Sequence, residues 1–164
     1  GYGPHGIAIF VECTTDNTNR TVASIRSIFS KNGGSLGTNG SLEFLFDRKG
    51  VFVLETTEIE LSPEEVELEL IDGGALEFER DQDFITVYTE FTDFGKMSGK
   101  LEELTIEPKN AEVQRIPLNT IELPVEQGLQ ILKLIDKFEE DDDVQNVYHT
   151  LEVTDELISE FEKD

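Results

Sequence analysis

Several residue types that carry chemistry are scarce in this 164-residue chain. Cys13 is its one cysteine and cannot form a disulfide within the chain, which favours a reducing compartment. The two histidines, His5 and His149, have no cysteine or histidine at metal-ligand spacing, and no G-x-S-x-G nucleophile motif occurs. The acidic run at residues 141–143 lacks the spaced ligands and the glycine of a calcium loop, and it resembles a solvated end of a helix. We therefore expect no enzyme, no metal ion and no cofactor.

Long apolar runs are also missing. The longest runs are only a few residues, too short to cross a membrane, and the first residues lack the charged and apolar regions of a signal peptide. The sequence does not begin with Met, which suggests that a segment precedes it. We expect a cytoplasmic protein with no membrane partner.

Positive charge is the third scarce property. Thirteen Lys and Arg residues stand against 36 Asp and Glu residues, a net charge of −23, which disfavours tight non-specific binding to nucleic acid. Residues 1–57 contain five basic and five acidic residues, so residues 58–164 hold the whole net charge. This asymmetry suggests that different surfaces face different partners. The alternative is that the acidic surface only keeps the protein soluble and monomeric, and a monomer is what we expect.

The glycines at the start of the chain match a nucleotide-binding spacing. Residues 1–6 read GYGPHG, which fits G-x-G-x-x-G. In a Rossmann loop these glycines follow a strand and open a helix whose N-terminus holds the pyrophosphate. Here they precede a strand, so we interpret the segment as a rigid lead-in to that strand.

Periodicity and capping residues predict a mixed fold. Alternation over residues 7–14 predicts a strand, and cap residues at 15–19 predict a helix from Thr18 or Asn19 that ends at Gly33 or Gly34. Two strands, at 42–46 and 51–54, are expected to flank a hairpin turn at 47–50. The later elements are a helix from Pro63, a hairpin over 75–80 and 84–91, a helix over 94–104, a strand at 113–116, a helix from Pro124, a strand at 147–153 and a helical acidic tail.

This order of elements predicts the class α+β. Residues 1–57 supply β-α-β-β and residues 118–164 supply α-β, which together make a split ferredoxin-like β-α-β-β-α-β domain. Residues 58–117 would then form a second, antiparallel α+β domain inserted into the first. Two sequential domains are the alternative.

The helix from residue 18 offers the best candidate for a binding site. Its expected buried stripe is Val22, Ile25 and Phe29, and Arg20 and Lys31 lie opposite that stripe. Backbone amides, Asn side chains and two cations on one edge suit phosphate oxygens. The alternative is ordinary helix capping with a solvated polar face.

Several segments closely resemble the YebC family. They are G-Y-G-P, T-D-N-x-N-R-T and S-K-N-G-G near the start, followed by FDRKGVF, IPLNTIEL and DDDVQNVYHTLEV. The resemblance covers nearly the whole chain and is weakest over residues 58–110. It implies a three-domain protein whose small basic helical first domain is absent here, with the other two α/β domains nested one in the other. It also implies a non-enzymatic role in gene expression, as a DNA-binding regulator or as a ribosome-associated translation factor.

On this resemblance we expect a translation factor that binds RNA on the ribosome. The alternatives are a DNA-binding transcriptional regulator and an acidic protein-binding scaffold. No helix carries several side chains suited to contact bases, which disfavours sequence-specific binding to duplex DNA. Residues 1–57, with the absent basic domain, would contact ribosomal RNA or DNA, and the acidic remainder would face solvent or basic ribosomal proteins. The expected nucleic-acid contacts are Arg20 and Lys31 to phosphates, Asn17, Asn19 and Asn32 as polar support, and Tyr2 stacking on a base.

Overall fold

The computed structural model describes residues 1–38 and 40–163. The chain divides into two compact units, residues 1–47 with 117–164 and residues 48–116. The strands are β1 (Ile9–Cys13), β2 (Phe46–Glu55), β3 (Ala75–Arg80), β4 (Phe84–Glu90), β5 (Asn110–Pro117) and β6 (Val144–His149). The helices are α1 (Thr18–Lys31), α2 (Pro63–Asp72), α3 (Phe94–Glu103), α4 (Val125–Glu139) and α5 (Asp155–Glu162).

The first unit packs helices α1, α4 and α5 with an antiparallel pair of strands, β1 and β6. In this pair Ile9 lies opposite His149 and Val11 lies opposite Val147. Phe29 of α1 and Phe138 of α4 are fully buried, and their ring centroids lie 4.7 Å apart. Burial of each such side chain stabilises the fold by about 1.5–3 kcal/mol, so this aromatic contact is a main tie between the two helices.

The second unit places α2 and α3 against a four-stranded sheet of order β3-β4-β2-β5. Phe52 of β2 is fully buried and stacks on Phe94 of α3 with a centroid distance of 4.9 Å. The Lys100 ammonium on α3 bonds the carboxylates of Glu69 and Asp72 on α2, each at 2.8 Å. The two helices are thus joined by two ion pairs of one lysine and by apolar contacts.

The observed architecture confirms the α+β class with two antiparallel sheets. Local signals placed several boundaries well: α1 begins at Thr18 after the N-cap Asn17, and Gly33 follows its C-cap with φ +81°. The Ser62–Glu65 capping box opens α2. These elements are specified by side chains that bond backbone groups a few residues away, which a sequence pattern displays directly.

The hairpin turn predicted at residues 47–50 is wrong. Residues 43–45 form a single 3₁₀ turn, and β2 continues without interruption from Phe46 to Glu55. Gly50 lies in this strand opposite Thr89 of β4, and a Cβ atom at Gly50 would collide with the Thr89 hydroxyl. The glycine therefore permits close approach of two strands and does not make a turn.

The continuous β2 strand changes how the strands are shared. Because β2 pairs with β4 in the second unit, the sheet of the first unit contains β1 and β6 among the described residues, fewer than the β-α-β-β-α-β scheme requires. The first boundary between the units accordingly falls at residues 47/48, ten residues before the expected 57/58, while the second falls at 116/117.

The buried stripe of α1 is also shifted from the predicted one. On α1 Thr21 is buried with Ile25 and Phe29, whereas Val22 is exposed. A polar residue occupies the core face here because the Thr21 hydroxyl donates a hydrogen bond to Asp143. On α4 the fully buried residues are Ile131, Leu134 and Phe138.

We predict that Gly34→Ala destabilises the chain. A Cβ atom at Gly34 would collide with the backbone carbonyl of Tyr2 and would lie 3.0 Å from Gly3 Cα, so the backbone must move. We expect the free energy of unfolding to fall by about 1–3 kcal/mol, measured by urea denaturation followed by circular dichroism. The control is Gly95→Ala in α3, where a Cβ meets open space and should raise stability by up to about 1 kcal/mol. Equal stability of Gly34→Ala and the wild type would contradict the expected collision of the added Cβ atom with the Tyr2 carbonyl.

Candidate nucleic-acid interface

The segment before α1 is held by its own polar side chains. Asn17 Oδ1 accepts a hydrogen bond from the Arg20 backbone N–H at 3.1 Å, and the Asn17 N–H donates to Thr15 Oγ1 at 3.0 Å. Asn17 is therefore the N-cap of α1, and its oxygen is already used within the chain.

The acidic run after α4 is bonded to the N-terminal half of α1. Asp143 Oδ2 accepts hydrogen bonds from Thr21 Oγ1 at 2.7 Å, from Thr15 Oγ1 at 3.2 Å and from Arg20 Nη2 at 3.2 Å. Ser24 Oγ donates to Asp141 Oδ2 at 2.7 Å. We call these six residues, Thr15, Arg20, Thr21, Ser24, Asp141 and Asp143, the acidic clasp. The solvated charge run predicted at residues 141–143 is thus wrong for its two outer members, which bind α1.

The clasp sets the charge state of its members. The Thr21 hydroxyl, and then Arg20 and Thr15, donate to the carboxylate and hold the pKa of Asp143 below its ordinary value. The hydrogen bond from Arg20 to Asp143 and the attraction of that carboxylate raise the pKa of the guanidinium. Since Arg20 also bonds Asp16 Oδ1 at 3.1 Å, a phosphate would have to compete with two carboxylates for it.

The other end of α1 has free positive charge. Lys31 is exposed in the last turn and makes no side-chain hydrogen bond or ion pair within the described residues. Asn32, the C-cap, donates from Nδ2 to the Ile28 carbonyl at 2.7 Å and accepts from Lys137 Nζ of α4 at 2.7 Å. Because the Asn32 amide is neutral, this hydrogen bond does not cancel the positive charge of Lys137.

The loop at the start of the chain meets this end of α1. Tyr2 exchanges backbone hydrogen bonds with Ser35 at 3.0 and 2.9 Å, and the residue is 44% exposed. His5 Nε2 lies 2.8 Å from Gln130 Oε1 of α4, and Gln130 and Lys137 share one face of that helix because they are seven residues apart. We call Lys31, Asn32 and Lys137, with His5 and Gln130 beside them, the basic edge.

The structure therefore separates the six residues expected to bind nucleic acid. Arg20 and Asn17 lie in or beside the clasp, and Asn19 is exposed in the first turn of α1. Lys31 lies about 18 Å from Asn19 along the helix axis, at 1.5 Å per residue. It is close in sequence to Asn32 and to Ser35, the hydrogen-bond partner of Tyr2. The sequence did not point to Lys137 and Gln130 as site residues. Their seven-residue spacing, which places them on one face of α4, was the one signal for them.

Charge is spread differently over the folded units than along the sequence. The first unit holds six basic and eighteen acidic residues, a net −12, and the second holds seven basic and eighteen acidic residues, a net −11. The neutral segment is thus divided: residues 1–47 fold together with the acidic residues 117–164, and residues 48–57 fold with the second unit. Any positive surface of the first unit therefore has to be local. Within residues 1–38 and 40–163 no group of three metal-binding side chains occurs, and none of the helices combines the length and the hydropathy of a membrane span.

We predict a pH-dependent loss of stability in the clasp. Because the pKa of Asp143 is lower in the folded state, its contribution is present above the unfolded-state pKa of about 3.9 and is lost as pH falls through the folded pKa. Asp143→Asn should therefore be less stable than the wild type at pH 7, and the gap should shrink in urea denaturation below about pH 4. The control is Asp142→Asn, an exposed neighbour with the same charge change. A gap that stays constant with pH would overturn this assignment.

Comparison with known proteins identifies the family. The family profile described as TACO1/YebC second and third domain matches residues 1–151. Proteins of Cytophaga hutchinsonii and Parabacteroides distasonis, both named probable transcriptional regulatory protein, are 55% and 54% identical; each alignment covers 94% of this chain, and 64% and 63% of the relatives respectively. A crystal structure of a conserved hypothetical protein from Aquifex aeolicus, 34% identical, aligns with a TM-score of 0.79 over 93% of this chain and 62% of that one. The chain spans just under two thirds of the length of these relatives, and it belongs to the TACO1/YebC family.

Proposed function

We propose that this chain is part of a non-enzymatic regulator of gene expression that works as a ribosome-associated translation factor and contacts RNA through the basic edge. The observation that carries the proposal is a pair of exposed lysines in a chain with a net charge of −23: Lys31 precedes Asn32 in the sequence, and Lys137 bonds Asn32. Lysines that are not neutralised by carboxylates are the groups that phosphate oxygens attract most strongly on such a surface.

The chemistry of the basic edge suits a nucleic-acid backbone. The two ammonium groups can bond phosphate oxygens, whereas base reading in a duplex groove depends on arrays of Arg, Asn or Gln side chains on one element. The ring of Tyr2, a half-exposed residue near Ser35, offers a stacking surface for an unpaired base. This combination favours single-stranded or irregular RNA over duplex DNA.

The expected footprint on nucleic acid is small. Asp136 and Glu140 lie within three residues of Lys137, so we expect the positive area to be confined to the two lysines. Two contacts to a single strand give a salt slope of about −1.4 in a plot of log K against log salt concentration. Binding by this chain should therefore be weak and sensitive to salt, and the segments by which the relatives are longer would add to it.

One alternative is supported by a specific observation. The relatives are named probable transcriptional regulatory proteins, which favours DNA as the target. In that case Lys31 and Lys137 would contact the backbone of a duplex. A duplex competitor distinguishes the two functions, because it removes a DNA-binding protein from ribosomes and leaves a translation factor bound.

We predict that Lys31→Ala with Lys137→Ala weakens binding to ribosomes about fivefold or more, since two charge-assisted contacts are lost. The measurement is co-sedimentation with ribosomes at low and physiological salt, with and without excess promoter DNA. The control variant, Lys96→Ala with Lys163→Ala, removes the same charge from exposed sites outside the basic edge and should bind like the wild type. Arg20→Ala should lower the melting temperature without a matching loss of binding, because Arg20 belongs to the clasp.

Each outcome of this experiment decides between functions. Pelleting that survives the DNA and is lost with the two lysines supports the translation factor. Displacement by promoter DNA moves the function to transcription. Pelleting that both double variants reduce equally shows diffuse electrostatic attraction and removes the basic edge as the contact.

A further inference from the structure

A groove of about 410 Å³ lies in the second unit at the C-terminal end of α3, apart from the residues of the basic edge. Its lining includes the buried side chains of Leu101 and Ile106 and the half-buried Pro108, which provide an apolar base. Glu102 and Glu107 also line it and are exposed, so their carboxylates border the apolar base. A groove of this volume is in the usual range for ligand sites, about 300–1,000 Å³.

The end of α3 gives the groove its shape. The Ile106 N–H donates to the Leu101 carbonyl at 2.8 Å and the Thr105 N–H donates to the Glu102 carbonyl at 3.0 Å, which folds the chain back on the last turn. Thr105 adopts φ +60° at the position where helices commonly place glycine. A β-branched residue is strained there, so the surrounding contacts hold a reversal that sets Ile106 beside Leu101.

The two glutamates of the groove lack a direct ion-pair partner in the described chain, although Glu107, after the larger effect of Glu55, helps to raise the pKa of Lys109. Neither Glu102 nor Glu107 makes a side-chain hydrogen bond or an ion pair within the part of the chain that the structure describes. Lys109, the cation nearest to Glu107 in the sequence, bonds Glu55 Oε2 at 3.0 Å, and Lys100 bonds Glu69 and Asp72. The groove thus combines an apolar base with two unpaired carboxylates, in a unit with a net charge of −11.

We propose that this groove docks a lysine or arginine side chain of a basic protein segment. Lysine and arginine have an aliphatic stem that packs on apolar surface and a cationic head that bonds carboxylates, and both features match this lining. A purely apolar side chain would leave the carboxylates unpaired in a less polar setting, and a phosphate would be repelled by them. The site lies on a different unit from the basic edge, and it stands or falls independently of the proposed RNA contact.

The test uses a fluorescently labelled octapeptide of alternating lysine and alanine, titrated into the whole chain and followed by anisotropy. The variant Glu102→Gln with Glu107→Gln should raise Kd about fivefold or more, whereas Glu60→Gln with Glu64→Gln, an equal charge change outside the groove, should stay within about twofold. Ser98→Trp, which fills the groove from an exposed position on α3, should raise Kd about fivefold, with Ser98→Ala as its control. Circular dichroism of each variant verifies the fold.

Other results overturn the proposal. If both glutamine pairs raise Kd equally, the peptide follows the overall acidity of the chain and does not use the groove. If Ser98→Trp binds like the wild type, or if a norleucine peptide binds as tightly as the lysine peptide, the groove does not hold a cationic side chain. No saturable binding up to about 1 mM also overturns it. The variant Lys31→Ala with Lys137→Ala should bind the peptide normally, which separates this test from that of the RNA contact.

Discussion

The carboxylate of Asp143 joins two parts of the chain that the second unit separates in sequence. This carboxylate accepts hydrogen bonds from Thr15, Arg20 and Thr21. The backbone carbonyl of Asp143 also accepts a hydrogen bond, from the Thr14 N–H at 2.8 Å. Residues 48–116 lie between these partners along the chain, so closing the first unit costs loop entropy that only contacts across that gap can offset. The β1–β6 pairing and the Phe29–Phe138 contact supply the apolar part, and the clasp supplies the polar part.

This constraint decides which residues of α1 are available for binding. Asn17 and Arg20 occur in the motif that carries much of the resemblance to the family, yet their polar atoms are bonded within the first unit. The C-terminal end of the same helix carries Lys31 beside an Asn32–Lys137 bond that involves no carboxylate. A single helix therefore has one end that stabilises the fold and another end whose charge remains available for phosphate.

The sequence allowed prediction of features that depend on near neighbours. The Asn17 cap, Gly33 and the Ser62–Glu65 box bond or relieve backbone within a few residues, and α1 and α2 begin where their caps indicated. The errors involve partners far away in sequence. The segment at 47–50 has the composition of a turn, but Gly50 packs against Thr89, and Thr21 is buried because Asp143 accepts its hydroxyl. No local pattern displays either contact, nor does it show which polar face of α4 adjoins α1.

The two units differ less in net charge than in whether their basic side chains form ion pairs with carboxylates. Both are strongly acidic, but in the second unit Arg80, Lys100 and Lys109 bond carboxylates, which leaves the acid around the groove to act on external cations. In the first unit Lys31 has no such partner in the described chain, and Lys137 bonds an amide. The two proposed contacts would give one chain both a site for phosphate and a site for basic side chains. Particles of RNA with basic proteins offer both chemistries together, so the two proposed contacts would suit such a particle better than bare DNA.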